Sequence, residues 1–577
     1  MLIKYPLILL VLLYALPVQE CTAYFSEHDL YSKRIEVQSG ENGIVINFSA
    51  PVSDRRIKFE ETFFLGMPFS DTRSWHMKIT DYSCDADTAR PAGPGPDLSS
   101  LVKFGKFEVL RDLNVVRVTI DPFSYYSGKT IFFTHIKIEI IFNRPVRAAA
   151  GPPDLFAPVY RCVANYRGAI NYLSSGTPQP ASGFQSESAP GTFSTLAPGK
   201  GADLVYIAPE DFISALEKPA LRHTASGLRV RIVSAKEIYE QFSEGSKSPA
   251  AIKKFLSYAY REWEKPALSY AILVGDAVAE AGSGAAAPDY LPAYLKNGKG
   301  YGTGEPPLYN TTSGETVEDP FASENYYSTI CGTDILPDII VARLPVVTSG
   351  EIDAIYEKTA AYEKGGSWQK DFILAADDGF ESYLDEAAVK AGPGYNFKKF
   401  YLKDFPLIDK PDNPKRKISP MCTEALVSAL GGGAGFAHYE GHAGVGVWSH
   451  EAMFLYSDID KLSNQDRYFI LTNMTCLTGY FTRGDTPWDR CLAERFLTMT
   501  GKGACAVIAP AGKGNEEANS ALAQNFYGSL PYFSDIGSLF TYSLIKTMAQ
   551  NEAYSHIVEM YLLFGDPLLR INPDFRQ

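Results

Sequence analysis

Hydrophobic positions divide the chain into two rhythms. Up to about residue 177 they alternate with polar positions or cluster as β-branched runs, and Gly and Pro separate the runs. The stretches 43–48, 115–120 and 131–142 carry this signal, and 134–142 alternates so regularly that it predicts a strand with one face in water. Residues 178–201 break the pattern. Pro, Ser, Gly and Ala dominate there with almost no charge, a composition that cannot bury a core and predicts an exposed linker. Beyond it, short apolar runs alternate with amphipathic stretches. Strands are predicted at 203–208, 228–233, 270–275, 339–341, 372–376, 435–439, 468–472 and 504–509. Helices are predicted at 210–222, 250–264, 349–364, 488–500 and 519–527. Strands alternating with helices imply βαβ units and a parallel sheet. The Gly- and Pro-rich region 277–319 reads as a long surface excursion.

The first residues follow neither rhythm. Lys4 precedes an apolar run over 6–18, and Cys21 and Ala23 supply small residues at a cleavage site. This predicts a secretory signal peptide over 1–23, hence a secreted or extracytoplasmic protein, and the run is too short for a stable membrane span. The expected organisation is a β-rich domain at 24–177, a linker at 178–201, a first α/β subdomain at 202–345 and a second at 346–577.

Composition narrows the function. Of the 577 residues 45% are hydrophobic and 21% charged, an ordinary globular balance, and the net charge of −13 excludes a basic nucleic-acid-binding footprint. Eight cysteines become seven once Cys21 leaves with the leader. An odd number in an oxidising compartment leaves at least one thiol unpaired. Parity does not distinguish a buried bystander from a reactive thiol.

Two strand ends carry candidate chemistry. The run 435–439 leads into Glu440, Gly441 and His442, and the run 468–472 leads into Asn473, Met474, Thr475 and Cys476. In open parallel sheets catalytic groups gather at the carboxyl ends of strands. If the two strands are neighbours, roughly 5 Å apart, an imidazole comes within reach of a thiol that needs a base to become a nucleophile. The glycines at 431–435 lack a following Lys-Ser/Thr and precede a strand, so they read as a turn, not a phosphate loop.

Several of these residues together resemble the gingipain family of cysteine peptidases, relatives of the caspases. They are Tyr439 to Ala443, Trp448, Asn473 to Cys476, Gly479, Phe481, the 491–496 and 503–508 runs, and upstream Leu273 to Asp276 and the 336–345 run. The resemblance ends in the 563–570 run, and residues 116–142 look like that family's β-rich propeptide. It implies an α/β caspase-like catalytic region, mostly parallel sheets flanked by helices, behind a β-rich N-terminal domain. It implies a secreted cysteine endopeptidase made as a zymogen, with Cys476 as nucleophile, His442 as general base and the backbone N–H groups of Cys476 and Ala443 as oxyanion donors.

The family usually has Gly after the histidine. Ala443 keeps the N–H, yet Ala tolerates a positive φ poorly, so the loop must avoid that conformation or bear strain. By position in the family pattern Asp378 is expected to orient the imidazole, with Asp377 as substitute and Glu440 as a local rival. His438, His450 and Glu494 are read as bystanders. Tyr383 stands where Arg-cutting members carry an acid, and Lys513 falls near the expected substrate pocket. Expected partners are protein or peptide substrates and the chain's own N-terminal domain as an inhibitor. The chemistry needs no cofactor. Structural calcium is possible through Asp276, Glu324 or Asp334, although no spacing forms a calcium loop. Two other readings remain open: a catalytically silent secreted binding protein with the same fold, and a thiol transpeptidase.

Overall fold

The computed structural model describes residues 34–164 apart from 41, 52–53, 55–59, 69–72, 86–97, 127–128 and 144–154. It then describes Leu196 and residues 201–571, apart from 279–288, 299, 303–307, 311–314 and 483–489. The expected signal peptide and nearly all of the expected linker lie outside the described residues.

The N-terminal part is all β. Strands β1 (Ile35–Gly40), β2 (Gly43–Ser49), β8 (Lys129–Phe142) and β4 (Trp75–Cys84) form one antiparallel sheet, and β7 (Phe123–Tyr126) also pairs with β8. Strands β3 (Glu61–Met67), β6 (Leu113–Ile120) and β5 (Val102–Leu110) form a second. The alternation in β8 does what it predicts: Ile136, Ile138, Ile140 and Phe142 are buried while Lys137 and Glu139 between them are partly in water.

The C-terminal part is built on one ten-stranded sheet. In chain order its strands are β9 (Leu204–Ala208), β10 (Val230–Ser234), β11 (Tyr270–Val274), β12 (Ile340–Leu344), β13 (Asp371–Ala376), β14 (Asn396–Tyr401), β15 (Phe436–Glu440), β16 (Phe469–Met474), β17 (Ala504–Pro510) and β18 (Tyr561–Gly565). Across the sheet the order is β10-β9-β11-β12-β18-β17-β16-β15-β13-β14. Every neighbouring pair is parallel except β17 with β18, where Val507 faces Phe564. The last strand therefore crosses back to join the first half, pairing in parallel with β12 through Arg343 and Phe564. The two halves of the sheet run in opposite directions. The strand interiors are wholly buried in β9, β11, β15, β16, β17 and β18, as a sheet covered on both faces requires.

One consequence positions the site. The carboxyl ends of β13, β15, β16 and β17 all lie along the same edge of the sheet. The segments that follow them are those that carry Asp377, His442, Cys476 and Lys513.

The helix Ile536–Gln550, which the hydrophobic pattern did not mark, is buried along almost its whole length. The N-terminal domain rests beside it: Arg117 Nη2 donates to Met548 O at 3.2 Å, and Arg161 Nη1 donates to Tyr532 O at 2.8 Å.

Candidate active site

Strands β15 and β16 are adjacent and parallel, with Tyr439 opposite Asn473 and Glu440 opposite Met474. His442 and Cys476 each follow two residues after that last pair, so both leave the sheet at the same level. The hydroxyl of Thr475 donates to Gly441 O and ties the residue before the thiol to the residue before the histidine. His442 is exposed and Cys476 partly buried, and the imidazole and thiol make no hydrogen bond to each other. Apo sites are often this loose before substrate tightens them.

The histidine's main chain is held on both sides. Its N–H donates to Asp377 Oδ2 at 3.1 Å, and its C=O accepts from the Tyr439 hydroxyl at 2.5 Å and from the Ser449 N–H at 2.8 Å. The carboxylate bonded to the histidine is thus that of Asp377, the expected substitute, and it holds the backbone N–H, not the imidazole. Asp378 is exposed, and its own N–H donates to Asp377 Oδ1 at 2.9 Å. Burial raises the Asp377 carboxyl, opposed by these two N–H donors and by the histidine's charge. Glu440 is no rival. Only 1% exposed, it faces the buried His438 at 3.4 Å, and His438 Nδ1 in turn pairs with Thr472 Oγ1 at 2.8 Å. His450, read as a bystander, has its ring 5.1 Å from that of His442, and Phe380 sets its edge toward the same imidazole at 5.4 Å. No spacing in the sequence marks either contact.

The concern about Ala443 resolves in the backbone. Ala443 is not among the residues with positive φ; Gly441 takes that burden at φ 153°. Ala443 pairs with Trp448 across a short antiparallel ribbon. The flanking bond from Ser449 N–H to His442 O makes Ala443 and Trp448 a non-hydrogen-bonded pair, which leaves the Ala443 N–H free of the ladder. On the other loop, Leu477 adopts φ 59° directly after Cys476, and its N–H donates to Gly512 O at 2.9 Å. Such strain in a non-glycine residue is held by its surroundings and gathers at functional sites.

The thiol of Cys476 points at Gly514 O, 4.0 Å away. Burial pushes its pKa up, while the Lys513 charge acts in the opposite sense. A thiol so raised is neutral near pH 7, so its nucleophilicity depends on a base. Tyr383 sits half-buried on the helix Glu381–Ala391, and burial followed by the fields of Glu516, Glu440, Glu517 and Glu386 raises its hydroxyl. Glu386 shares that helix, while Glu516 and Glu517 open the helix Glu516–Ser529 and Glu440 ends β15. Lys513 is anchored through its N–H to Tyr301 O at 2.7 Å, so the 277–319 excursion reaches the catalytic edge.

The acids considered for calcium each have partners within the protein. Glu324 is bonded to Arg343 at 2.7 Å, Asp334 accepts the Val109 and Leu336 N–H groups, and Asp276 accepts the Ala277 N–H. Among the described residues no three His, Cys, Asp or Glu side chains are grouped to hold a metal ion, and no helix is long and apolar enough to cross a membrane. Glu494 caps its own helix by accepting the Cys491 N–H at 2.7 Å.

Comparison with known proteins agrees with this architecture. The chain is 26% identical over 207 residues to Lys-gingipain of Porphyromonas gingivalis and 25% identical over 211 residues to Lys-gingipain W83 of the same species. Each match covers 36% of this chain and 11% of the relative's own length. The crystal structure of the Arg-specific cysteine proteinase gingipain R shares the fold, with a TM-score of 0.51 at 16% identity over 66% of this chain and 80% of that one. The model of peptidase family C25 matches residues 197–572, and the chain belongs to that family.

Proposed function

We propose that this chain is a secreted cysteine endopeptidase. The observation that carries the reading is the shared register of β15 and β16, which delivers His442 and Cys476 to one edge of the sheet at one level. In the proposed reaction His442 accepts the Cys476 proton. The thiolate sulfur attacks the scissile carbonyl carbon, and the N–H groups of Cys476 and Ala443 receive the developing oxyanion. The protonated imidazole gives its proton to the leaving amine. Water, deprotonated by His442, then hydrolyses the thioester and regenerates the thiol. Asp377, Tyr439 and Ser449 keep the histidine's main chain fixed through these steps. The steps draw on no metal or cofactor, and the substrates are proteins or peptides.

A peptide library followed by mass spectrometry tests this. Hydrolysed fragments, lost in both Cys476→Ala and His442→Ala, support it. Ligated products would point to a transpeptidase, and no turnover by the full-length or nicked protein would point to a silent binding relative.

Latency imposed by the N-terminal domain is proposed on the likeness of 116–142 to a propeptide. Nicking within 178–195 should then raise thiol-dependent hydrolysis several-fold. A second reading, a permanent accessory domain, is favoured by where the domain sits. Among the described residues, no hydrogen bond or ion pair joins residues 34–164 to the segments 441–450, 474–478 or 510–517. Equal turnover by intact and nicked protein selects that reading.

A further inference from the structure

The imidazole of His442 makes no hydrogen bond among the described residues. Asp377, Tyr439 and Ser449 take up only the main-chain N–H and C=O of this residue. A base that works through its ring needs that ring oriented, and at nucleophile–base sites a third group commonly does so. What touches the ring here is two other rings. The Phe380 centroid lies 5.4 Å away with the planes at 81°, and that of His450 lies 5.1 Å away at 39°. Both fall within the roughly 4.5–7 Å at which ring pairs attract.

Each ring is anchored through residues that also hold the histidine's main chain. Phe380 is buried just before the helix Glu381–Ala391; its N–H donates to Asp377 O at 3.2 Å, and the Tyr383 ring lies 6.1 Å from its own. Asp377 thus holds Phe380 through its carbonyl and His442 through its carboxylate. His450 rides on a turn in which Ser449 and Ala452 adopt φ 59° and 52°, left-handed backbone that non-glycine residues keep only where their surroundings impose it. The Ser449 N–H donates to His442 O at 2.8 Å, and its hydroxyl accepts the Glu451 and Met453 N–H groups at 3.2 and 3.3 Å. Thr423 Oγ1 donates to Met453 O at 3.1 Å and pins the far side of the turn. Yet His450 itself is exposed, and among the described residues its side chain makes no hydrogen bond or ion pair. Backbone strain of this kind points to a function, and what this turn achieves is the ring contact with His442.

We propose that Phe380 and His450 are positioning residues that set the orientation of the His442 imidazole, in the place of a hydrogen-bonded carboxylate. The consequence for turnover rests on the catalytic reading above; the ring contact itself does not. A histidine side chain has three staggered χ1 wells and about two χ2 settings, hence about six orientations. Main-chain hydrogen bonds do not choose among them, and an exposed imidazole without ring neighbours spreads over several. Few of these reach Cys476. Losing one of the two rings therefore costs about threefold to sixfold in kcat. KM should stay as it is, because the two rings act on the base and not on the substrate.

The test separates a ring from a hydrogen-bonding group at position 450, where exposure lets variants fold. His450→Ala and His450→Asn should both show the loss in kcat with KM within about twofold of wild type, and His450→Phe should recover at least half of the wild-type kcat. Phe380→Leu, which keeps buried apolar bulk without the ring, should reproduce the loss. A kcat for His450→Ala within about 1.5-fold of wild type would overturn the proposal, as would recovery by Asn in place of Phe, or a loss that falls on KM. A second measurement needs no turnover. In the full chain carrying isotope-labelled histidine, the nuclear magnetic resonance line of His442 Cε1 is identified by its loss in His442→Gln. At fixed pH that line should move in both His450→Ala and Phe380→Leu, and a line unmoved in either would overturn the ring contact. A wild-type protein without turnover whose line does move would sink the catalytic reading and leave the ring placement standing.

Discussion

Replacing Gly441 with alanine tests whether the histidine loop is held to ångström tolerance. A Cβ at this position would lie 2.3 Å from Asp377 Cβ, 2.8 Å from the Tyr439 hydroxyl and 3.1 Å from Asp377 N. Ordinary contact begins near 3.4 Å, so the loop or the end of β13 must move by about 1 Å. The atoms struck belong to the two groups that hold His442, because Asp377 accepts its N–H and Tyr439 donates to its C=O. The clash and the histidine's placement are therefore the same event. A displacement of about 1 Å at a catalytic group costs on the order of a hundredfold in rate, or about 2.7 kcal/mol of barrier. Backbone strain at φ 153° adds roughly 1–3 kcal/mol to the cost of folding, which a domain of ordinary stability survives. The assay is kcat/KM on a thiol-dependent peptide substrate, with thermal unfolding as the control for folding. Gly379→Ala makes a matched comparison: it also has positive φ, at 90°, but nothing lies within 4 Å of its Cβ. It should lose stability and keep its rate within about threefold. If Gly441→Ala folds and retains more than about a third of wild-type kcat/KM, the reasoning about the loop is wrong.

Cys476→Ala and His442→Ala should each leave less than about a tenth of the wild-type rate with folding nearly unchanged, since general-base help alone contributes roughly 10² or more; circular dichroism and turnover read both. Because burial raises the Cys476 thiol, alkylation of the free enzyme by iodoacetamide should accelerate steadily from pH 6 to 9; a rate flat across that range would show a thiolate already formed. His223 is buried, which lowers its pKa, but Asp566 at 3.0 Å outweighs burial and the net shift is upward. Its contribution to stability should be fully present below about pH 6.5 and lost as pH rises through the folded value, and His223→Gln should flatten that dependence in thermal melts. A peptide-library profile should lack strict selection for Arg before the scissile bond, because Lys513 and the Glu516–Glu517 pair bring both charge signs to the cleft; cleavage after Arg alone would contradict it.

Much of this architecture is written in hydrophobic periodicity, and the failures have physical causes. The strands carrying His442 and Cys476 were legible because buried parallel strands read as short unbroken apolar runs, ending where polar residues begin. Which carboxylate holds the His442 main chain was not legible. Asp377 and Asp378 are adjacent and chemically identical, and only the turn decides that the first faces the His442 N–H while the second faces water. The helix Ile536–Gln550 escaped notice because it is covered nearly all round, so Ser538, Ser543 and Thr547 are as buried as Leu539 and Ile545 and no polar face sets a period. The return of β18 into the first half of the sheet is a long-range pairing that no local pattern encodes. The burial of Arg111 in the turn between β5 and β6 likewise depends on carbonyls more than 150 positions away.

The central claim is that Cys476 is the nucleophile and His442 its base. A peptide carrying a thiol-reactive group, reacted with the nicked protein and located by peptide mapping, tests it most directly. The account predicts one adduct, on Cys476, that forms at a rate set by the peptide sequence and is strongly slowed in His442→Ala. Cys162, Cys331, Cys422, Cys491 and Cys505 are buried and should stay unmodified. An adduct on any other cysteine, or labelling of Cys476 at the same rate with and without His442, would contradict the account.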